Sequence, residues 1–133
     1  MNGIKLQGVI VHGDRIGRSI GFPTANISTA DPLPAGGAYL ARMRWDDGDG
    51  YGILNIGTRP TVGGTETRVE IHLMDFKGNL YGKKVEVQLL RFMREEHKFD
   101  SLHTLRQQLR HDLQQAGLLL AELESGTKKL FND

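Results

Sequence analysis

Cysteine is absent from the 133-residue chain, which excludes disulfide bridges, zinc–thiolate sites and a thiol nucleophile. No apolar run approaches the ~20 residues that a membrane-spanning helix needs. The first residues also lack the basic and apolar regions of a signal peptide. We therefore expect a cytoplasmic protein that has no membrane partner.

An excess of charge of either sign is missing as well. Lys+Arg number 17 against 16 Asp+Glu, a net charge of +1 that disfavours nucleic acid as a partner. Hydrophobic residues make up 38% and charged residues 25%, which is typical of a globular fold rather than a disordered chain. At ~100–200 residues per domain, we expect one domain over residues 1–133.

Glycine is abundant, and its distribution divides the chain. The 17 glycines are about twice the average usage of ~7%. Only Gly117 and Gly126 follow Gly82, so a glycine-rich front precedes a glycine-poor tail. This contrast predicts two structural regimes inside one domain.

The front has the pattern of short strands separated by turns. Apolar and polar residues alternate with period two over 39–45, 69–73 and 85–89, and further apolar segments occupy 4–11 and 51–56. Turn residues surround Gly48 and Gly78. Because no helical pattern separates these strands, we expect antiparallel pairing in a barrel or sandwich.

The tail has helical spacing. Apolar residues recur at steps of three and four, and Asp100 or Ser101 is suited to cap the first turn. Gly117 is expected to break or end the first segment. Such a helix would cover an open side of the barrel. Its apolar positions are Leu102, Leu105, Leu109, Leu113, Ala116, Leu120 and Leu123.

Two segments, 12–34 and 57–68, are predicted to be long functional loops, because their glycines, hydroxyls and guanidinium groups suit phosphate oxygens. In the first, Gly13, Gly17 and Gly21 allow close backbone approach. Either Arg15 or Arg18 is suited to meet a phosphate. Thr24 and Asn26 lie two apart, so an extended chain points both oxygens to one side, as a weak Mg²⁺ site requires. The alternative is a surface loop bent at Pro23.

Two further groups of residues are candidates for catalysis or ligand binding. Glu70 and His72 leave the apolar face of their strand together, as a general base, as an orienting pair or simply as a solvated face. The segment 91–100 places aromatic rings beside cations, which suits stacking on a planar ligand. The alternative there is a charged connector.

These blocks, in this order, resemble the riboflavin kinase (flavokinase) family. The resemblance covers roughly residues 8–113, and its most specific part is Pro23-Thr24-Ala25-Asn26 with Glu70-x-His72 downstream. The other matching blocks are 17–22, 33–39, 55–61, 69–73 with 75–76, 80–82 and 98–102.

The resemblance implies a mainly β fold, a six-stranded antiparallel Greek-key barrel (about 4–99) with a C-terminal α-helix (about 101–124). It implies transfer of the ATP γ-phosphate to the ribityl 5′-hydroxyl of riboflavin, giving FMN and ADP. The implied roles are Glu70 as catalytic base; Thr24 and Asn26 as Mg²⁺ ligands; Gly13, Arg18, Thr24, Leu73, Asp75 and Tyr81 as ATP residues; and Arg94, His97 and Phe99 as flavin residues.

Members of this family are often fused to an FMN adenylyltransferase domain. The chain has no His-x-Gly-His nucleotidyl-transfer motif, so it resembles a standalone kinase or the C-terminal half of a bifunctional FAD synthetase. Two other functions remain open. One is a barrel that binds flavin or nucleotide without catalysis, and the other is a nucleic-acid-binding barrel, which the charge balance and the few aromatic residues disfavour.

Overall fold

A computed structural model of the chain describes residues 3–12 and 23–132, with side chains to residue 125. Gly13 and Arg18, both predicted to contact ATP, lie outside the described residues. The elements are β1 (Lys5–Val11), β2 (Ala25–Thr29), β3 (Gly37–Trp45), β4 (Gly48–Thr61), β5 (Gly64–Leu73), β6 (Lys84–Glu95) and α1 (Leu102–Asn132).

The six strands close into a barrel in the order β1-β2-β5-β4-β3-β6. Every pair is antiparallel, and β6 completes the ring by pairing with both β1 and β3. The pairing of β2 with β5, rather than with its chain neighbour β3, is the non-sequential connection of a Greek key. The predicted antiparallel barrel with a C-terminal helix is confirmed.

The barrel interior holds the main core. Alternate residues of each strand point inward, and Tyr39, Met43, Leu54, Ile71 and Leu89 are among the most buried side chains. The Tyr39 hydroxyl donates a hydrogen bond of 2.5 Å to the carbonyl of Ala35, and burial raises the pKa of Tyr39. The period-two patterns therefore identified the inward faces correctly.

Helix α1 packs on the outside of the barrel, where Ala116 joins a second apolar cluster with Ala38, Leu40 and Ile53. Its first turn is capped as predicted, because the backbone N–H of Thr104 donates to Ser101 Oγ at 3.2 Å. No helix in the described part of the chain is long and apolar enough to cross a membrane.

The predicted break at Gly117 is wrong. The helix continues through Gly117 to Asn132, beyond the expected end near residue 124. One glycine costs a helix only about 1 kcal/mol relative to alanine, and the packed residues on either side retain the helical period.

The segment 57–68 is a hairpin rather than the predicted long loop. Gly57 pairs with Arg68, and the ladder continues until Thr61 faces Gly64. A two-residue turn closes the hairpin, and Gly63 there has a φ of 86°, which favours glycine. In the other predicted loop, residues 25–29 form β2. Backbone pairing across strands overrides a loop-like composition in both places.

Candidate active site

A row of polar residues crosses the outer face of three adjacent strands. Asn26 of β2 faces Glu70 of β5, and Glu70 in turn faces Asn55 of β4. Directly opposed side chains on one face lie about 4.5–5.5 Å apart at Cβ. Since the flanking Ile27 and Val69 point into the core, these three polar side chains share the outer surface. The register thus brings the predicted base next to one predicted metal ligand.

Glu70 lines a cavity of about 220 Å³ on this face. Its side chain is 27% exposed, and Arg68 Nη1 lies 3.8 Å from Glu70 Oε1. Arg68 Nε is also 3.9 Å from Glu66 Oε2, so the guanidinium lies between two carboxylates. The cavity therefore presents a carboxylate and a guanidinium side by side.

Most of the described residues predicted to contact ATP line a second cleft, of about 280 Å³. Thr24, Leu73 and Tyr81 line it. The imidazole of His12 stacks on Tyr81 with ring centroids 3.8 Å apart and planes 18° apart, which gives the cleft an aromatic wall. Asp75 is not in the described lining; it lies in the exposed turn after β5, with a φ of 55°.

The two predicted metal ligands lie on adjacent cavities. Thr24 lines the 280 Å³ cleft, and Asn26 lines a cavity of about 290 Å³ together with Arg68. Both cavities share Val11 and His12 in their walls. In the described part of the chain, no group of three or more His, Asp or Glu is placed to hold a metal. A hydroxyl and an amide oxygen are donors of the kind that Mg²⁺ accepts when phosphate and water complete its coordination.

The segment after β6 separates the three predicted flavin residues. His97 and Phe99 lie together, with ring centroids 4.8 Å apart, and line a cavity of about 480 Å³ against α1. Arg94 instead makes a bidentate ion pair with Asp112 of α1, in which Nε donates to Oδ1 at 2.9 Å and Nη2 donates to Oδ2 at 2.8 Å. Asp112 is 1% exposed and also accepts a hydrogen bond from Gln108 Nε2 at 2.9 Å. Arg94 belongs to β6, so this ion pair joins the end of that strand, just before the segment, to the helix.

Glu96 joins the same segment to the strand beside the Glu70 cavity. Its carboxylate accepts hydrogen bonds from the backbone N–H of Thr58 at 2.9 Å and from the Thr58 hydroxyl at 3.2 Å. Lys98 Nζ lies 3.7 Å from Glu96 and donates to the Thr58 carbonyl. Because Thr58 also lines the Glu70 cavity, these contacts tie the wall of the 480 Å³ cavity to it.

Sequence reasoning missed Asn55, Glu96 and Asp112. Asp112 had a detectable signal, because it falls at helical spacing from Leu105, Leu109 and Ala116 on the apolar stripe, where an acid needs a buried partner. Asn55 lies in a block that was recognised, but its place opposite Glu70 depends on strand register.

Together these observations define a closed β-barrel whose outer face carries the Glu70 carboxylate in register with the amides of Asn26 and Asn55, and these residues line cavities on that surface. The family model of riboflavin kinase matches residues 2–120, and the chain belongs to the riboflavin kinase family. It is 40% identical, over 114 residues, to a bifunctional riboflavin kinase/FMN adenylyltransferase of Haemophilus influenzae. That match covers 84% of this chain but 37% of the relative, so the chain spans little more than a third of that protein's length.

Two solved structures share the fold. A structure described as a macrolide-efflux protein from Streptococcus pneumoniae is 35% identical, with a TM-score of 0.76, over 83% of this chain and 37% of the other. The riboflavin kinase of Trypanosoma brucei is 22% identical, with a TM-score of 0.59, over 88% of this chain and 79% of the other. At that identity, the second likeness shows the fold alone.

Proposed function

We propose that the chain phosphorylates riboflavin at the ribityl 5′-hydroxyl, using ATP and releasing FMN and ADP. The observation that carries this proposal is the position of Glu70, in register with Asn26 and beside the Thr24 cleft. Membership of the riboflavin kinase family supports the same reaction.

Glu70 acts as the general base in this mechanism. The ribityl hydroxyl oxygen forms a bond to the γ-phosphorus, the bond to the bridging oxygen of ADP breaks, and the hydroxyl proton passes to Glu70. Phosphoryl transfer depends mainly on positioning and on electrostatic stabilisation of the phosphoryl oxygens. Arg68, which lies beside Glu70, adds positive charge to that surface.

Thr24 and Asn26 would hold the Mg²⁺ that accompanies ATP. When bound, magnesium neutralises part of the negative charge on the phosphate oxygens. Asn26 supplies a neutral oxygen opposite the Glu70 carboxylate, and Thr24 supplies a second one two residues before it, so the chain itself contributes a weak site that depends on the nucleotide for completion.

The 280 Å³ cleft is the proposed nucleotide site. Leu73 and the stacked His12–Tyr81 pair offer apolar and aromatic surface for the adenosine part. A role for Asp75 is proposed only at the rim, because it lies in the exposed turn beyond Leu73. The ATP contacts of Gly13 and Arg18 stay predictions.

The 480 Å³ cavity is the proposed flavin site, since His97 and Phe99 present rings for the planar isoalloxazine. Arg94 supports this site because its ion pair with Asp112 holds the end of β6, where the segment carrying His97 and Phe99 begins, against α1. A fused FMN adenylyltransferase domain in a longer protein, a cytoplasmic location and the lack of a nucleic-acid partner stay predictions.

The test is formation of FMN from riboflavin and MgATP by the purified chain, followed by chromatography with fluorescence detection. We expect one FMN and one ADP per turnover. Riboflavin binding without any FMN would overturn the kinase proposal and support the alternative of a non-catalytic flavin-binding barrel.

A further inference from the structure

His72 makes a contact that the proposed reaction does not use. It lies on β5, two residues after Glu70, and its Nδ1 is 2.7 Å from the backbone carbonyl oxygen of Pro23. A carbonyl only accepts hydrogen bonds, so Nδ1 carries the proton and donates. The imidazole therefore joins β5 to the residue that precedes Thr24.

This contact lies where the β2–β5 ladder ends. The pairs Asn26–Glu70 and Ala25–Ile71 are in register, and the same register places Thr24 opposite His72. Pro23 has no backbone N–H and cannot donate to a further rung of the ladder. The His72 side chain thus extends the connection between the strands past their last backbone pair, on the far side of Thr24.

Thr24 is consequently held from both sides. Ala25 is fixed by pairing with Ile71, and Pro23 is fixed by the imidazole of His72. Pro23, Thr24 and Ala25 all line the 280 Å³ cleft. Without the His72 contact, the chain entering β2 has one fewer anchor where Thr24 meets the cleft.

We propose that His72 is a positioning residue for nucleotide binding, acting through Pro23 to fix Thr24 in the cleft. The inference rests on the proposed kinase function and deepens it. The segment after β6, residues 96–101, and the Arg94–Asp112 pair make separate contacts elsewhere, so the effect is confined to the nucleotide side of the site.

Three substitutions test this role. His72→Ala removes the donor, His72→Gln moves its amide nitrogen beyond the Nδ1 position, and His72→Asn places its amide nitrogen close to that position. His103→Ala, on the exposed surface of α1, is the matched control. We expect the Ala and Gln variants to raise the KM for MgATP about tenfold, the scale of one lost hydrogen bond.

The expected pattern is selective. In the Asn variant, the KM for MgATP should lie within about threefold of the parent value. In every variant, the KM for riboflavin should lie within about twofold of the parent value. An unchanged MgATP KM in His72→Ala, or an Asn variant as impaired as the Ala variant, would overturn the proposal. Equal loss of affinity for both substrates would also overturn it, in favour of a general structural role.

A second measurement needs no turnover. Amide hydrogen exchange over residues 24–27 should become faster in His72→Ala, return towards the parent rate in His72→Asn, and stay unchanged in His103→Ala. If the parent chain made no FMN, the kinase proposal would fail, and the positioning role of His72 would be decided by exchange alone. Unchanged exchange in His72→Ala would refute that role.

Discussion

Two parts of the barrel's outer surface have opposite character. Beneath α1, the outward side chains of β3 and β4 are apolar and buried, as Leu40 and Ile53 show. Across β2, β5 and the next part of β4, the outward side chains are Asn26, Glu70 and Asn55. We call these regions the covered face and the open face.

The boundary between the two faces falls within one strand. Ile53 and Asn55 are two residues apart on β4 and point to the same side, yet Ile53 is 2% exposed and Asn55 is half-buried beside Glu70. The helix excludes water from the first position and leaves the second open to ligands. The cover, rather than the strand, therefore decides whether an outward position serves stability or chemistry.

The largest expected effect is on the open face. Glu70→Gln keeps the size of the side chain but removes the base, so FMN formation should fall by ~10²–10⁴-fold. Affinity for riboflavin and MgATP should change little, because the substrates gain most of their contacts elsewhere. Steady-state rates and direct binding titrations measure the two quantities separately.

Asn55→Ala is the matched change at the facing position, and its effect on the rate should be much smaller than that of Glu70→Gln. A Glu70→Gln enzyme with nearly the parent rate would exclude Glu70 as the base.

The next effect is under α1, at the edge of the covered face. Asp112→Ala leaves the Arg94 guanidinium without its buried carboxylate, and we expect the free energy of unfolding to fall by about 3 kcal/mol. Urea unfolding followed by circular dichroism measures this change. If folded protein still forms FMN, its riboflavin KM should rise more than its MgATP KM, because the Arg94–Asp112 pair holds the end of β6 beside the proposed flavin site.

The double variant Arg94→Met/Asp112→Leu is the control for this pair. It removes both charges and should recover most of the lost stability, since an uncompensated buried charge costs more than an apolar replacement. A single variant as stable as the parent chain would show that the ion pair contributes little.

The smallest effect should come from an ion pair outside the helix cover. Lys83 Nζ donates to Asp46 Oδ1 at 3.0 Å; this hydrogen bond lowers the pKa of Asp46 and raises the pKa of Lys83. The stability that Asp46 contributes to the folded state is thus present above its unfolded pKa of 3.8 and is lost as the pH falls through its lower folded pKa. The stability that Lys83 contributes is present below its unfolded pKa of 10.5 and is lost as the pH rises through its higher folded pKa.

Lys83→Met should therefore lower the Tm slightly at neutral pH and low salt. The difference should vanish at roughly 1 M salt, where the Debye length is ~3 Å. A drop in Tm as large as that of Asp112→Ala would contradict the distinction between covered and uncovered ion pairs.

Local sequence patterns predicted much of the fold. Period-two alternation located the inward residues around Tyr39 and Val87, and the helix cap is Ser101, one of the two predicted candidates. The hairpin at 57–68 was missed because its glycines, threonines and proline have a loop-like composition, while its strands are defined by pairs such as Gly57–Arg68. Composition is local, and ladder hydrogen bonds are not.

The candidate site divides in the same way. Thr24 and Asn26, or Glu70 and His72, were expected to act from one side because each pair is two residues apart in extended chain. The contact of His72 with Pro23 joins residues 49 apart, and Arg94 meets Asp112 across 18. Spacing along the chain does not predict such partners.

The sequence by itself therefore determined the inward faces of the strands, the capped helix and the residue types on which the proposed phosphoryl transfer depends, because each follows from neighbours within a few positions. Only the tertiary structure decided which outward positions the helix covers, which oxygen donors stand beside Glu70, and that Arg94 pairs with a buried acid. These features depend on strand register and helix packing, which bring together residues far apart in the chain.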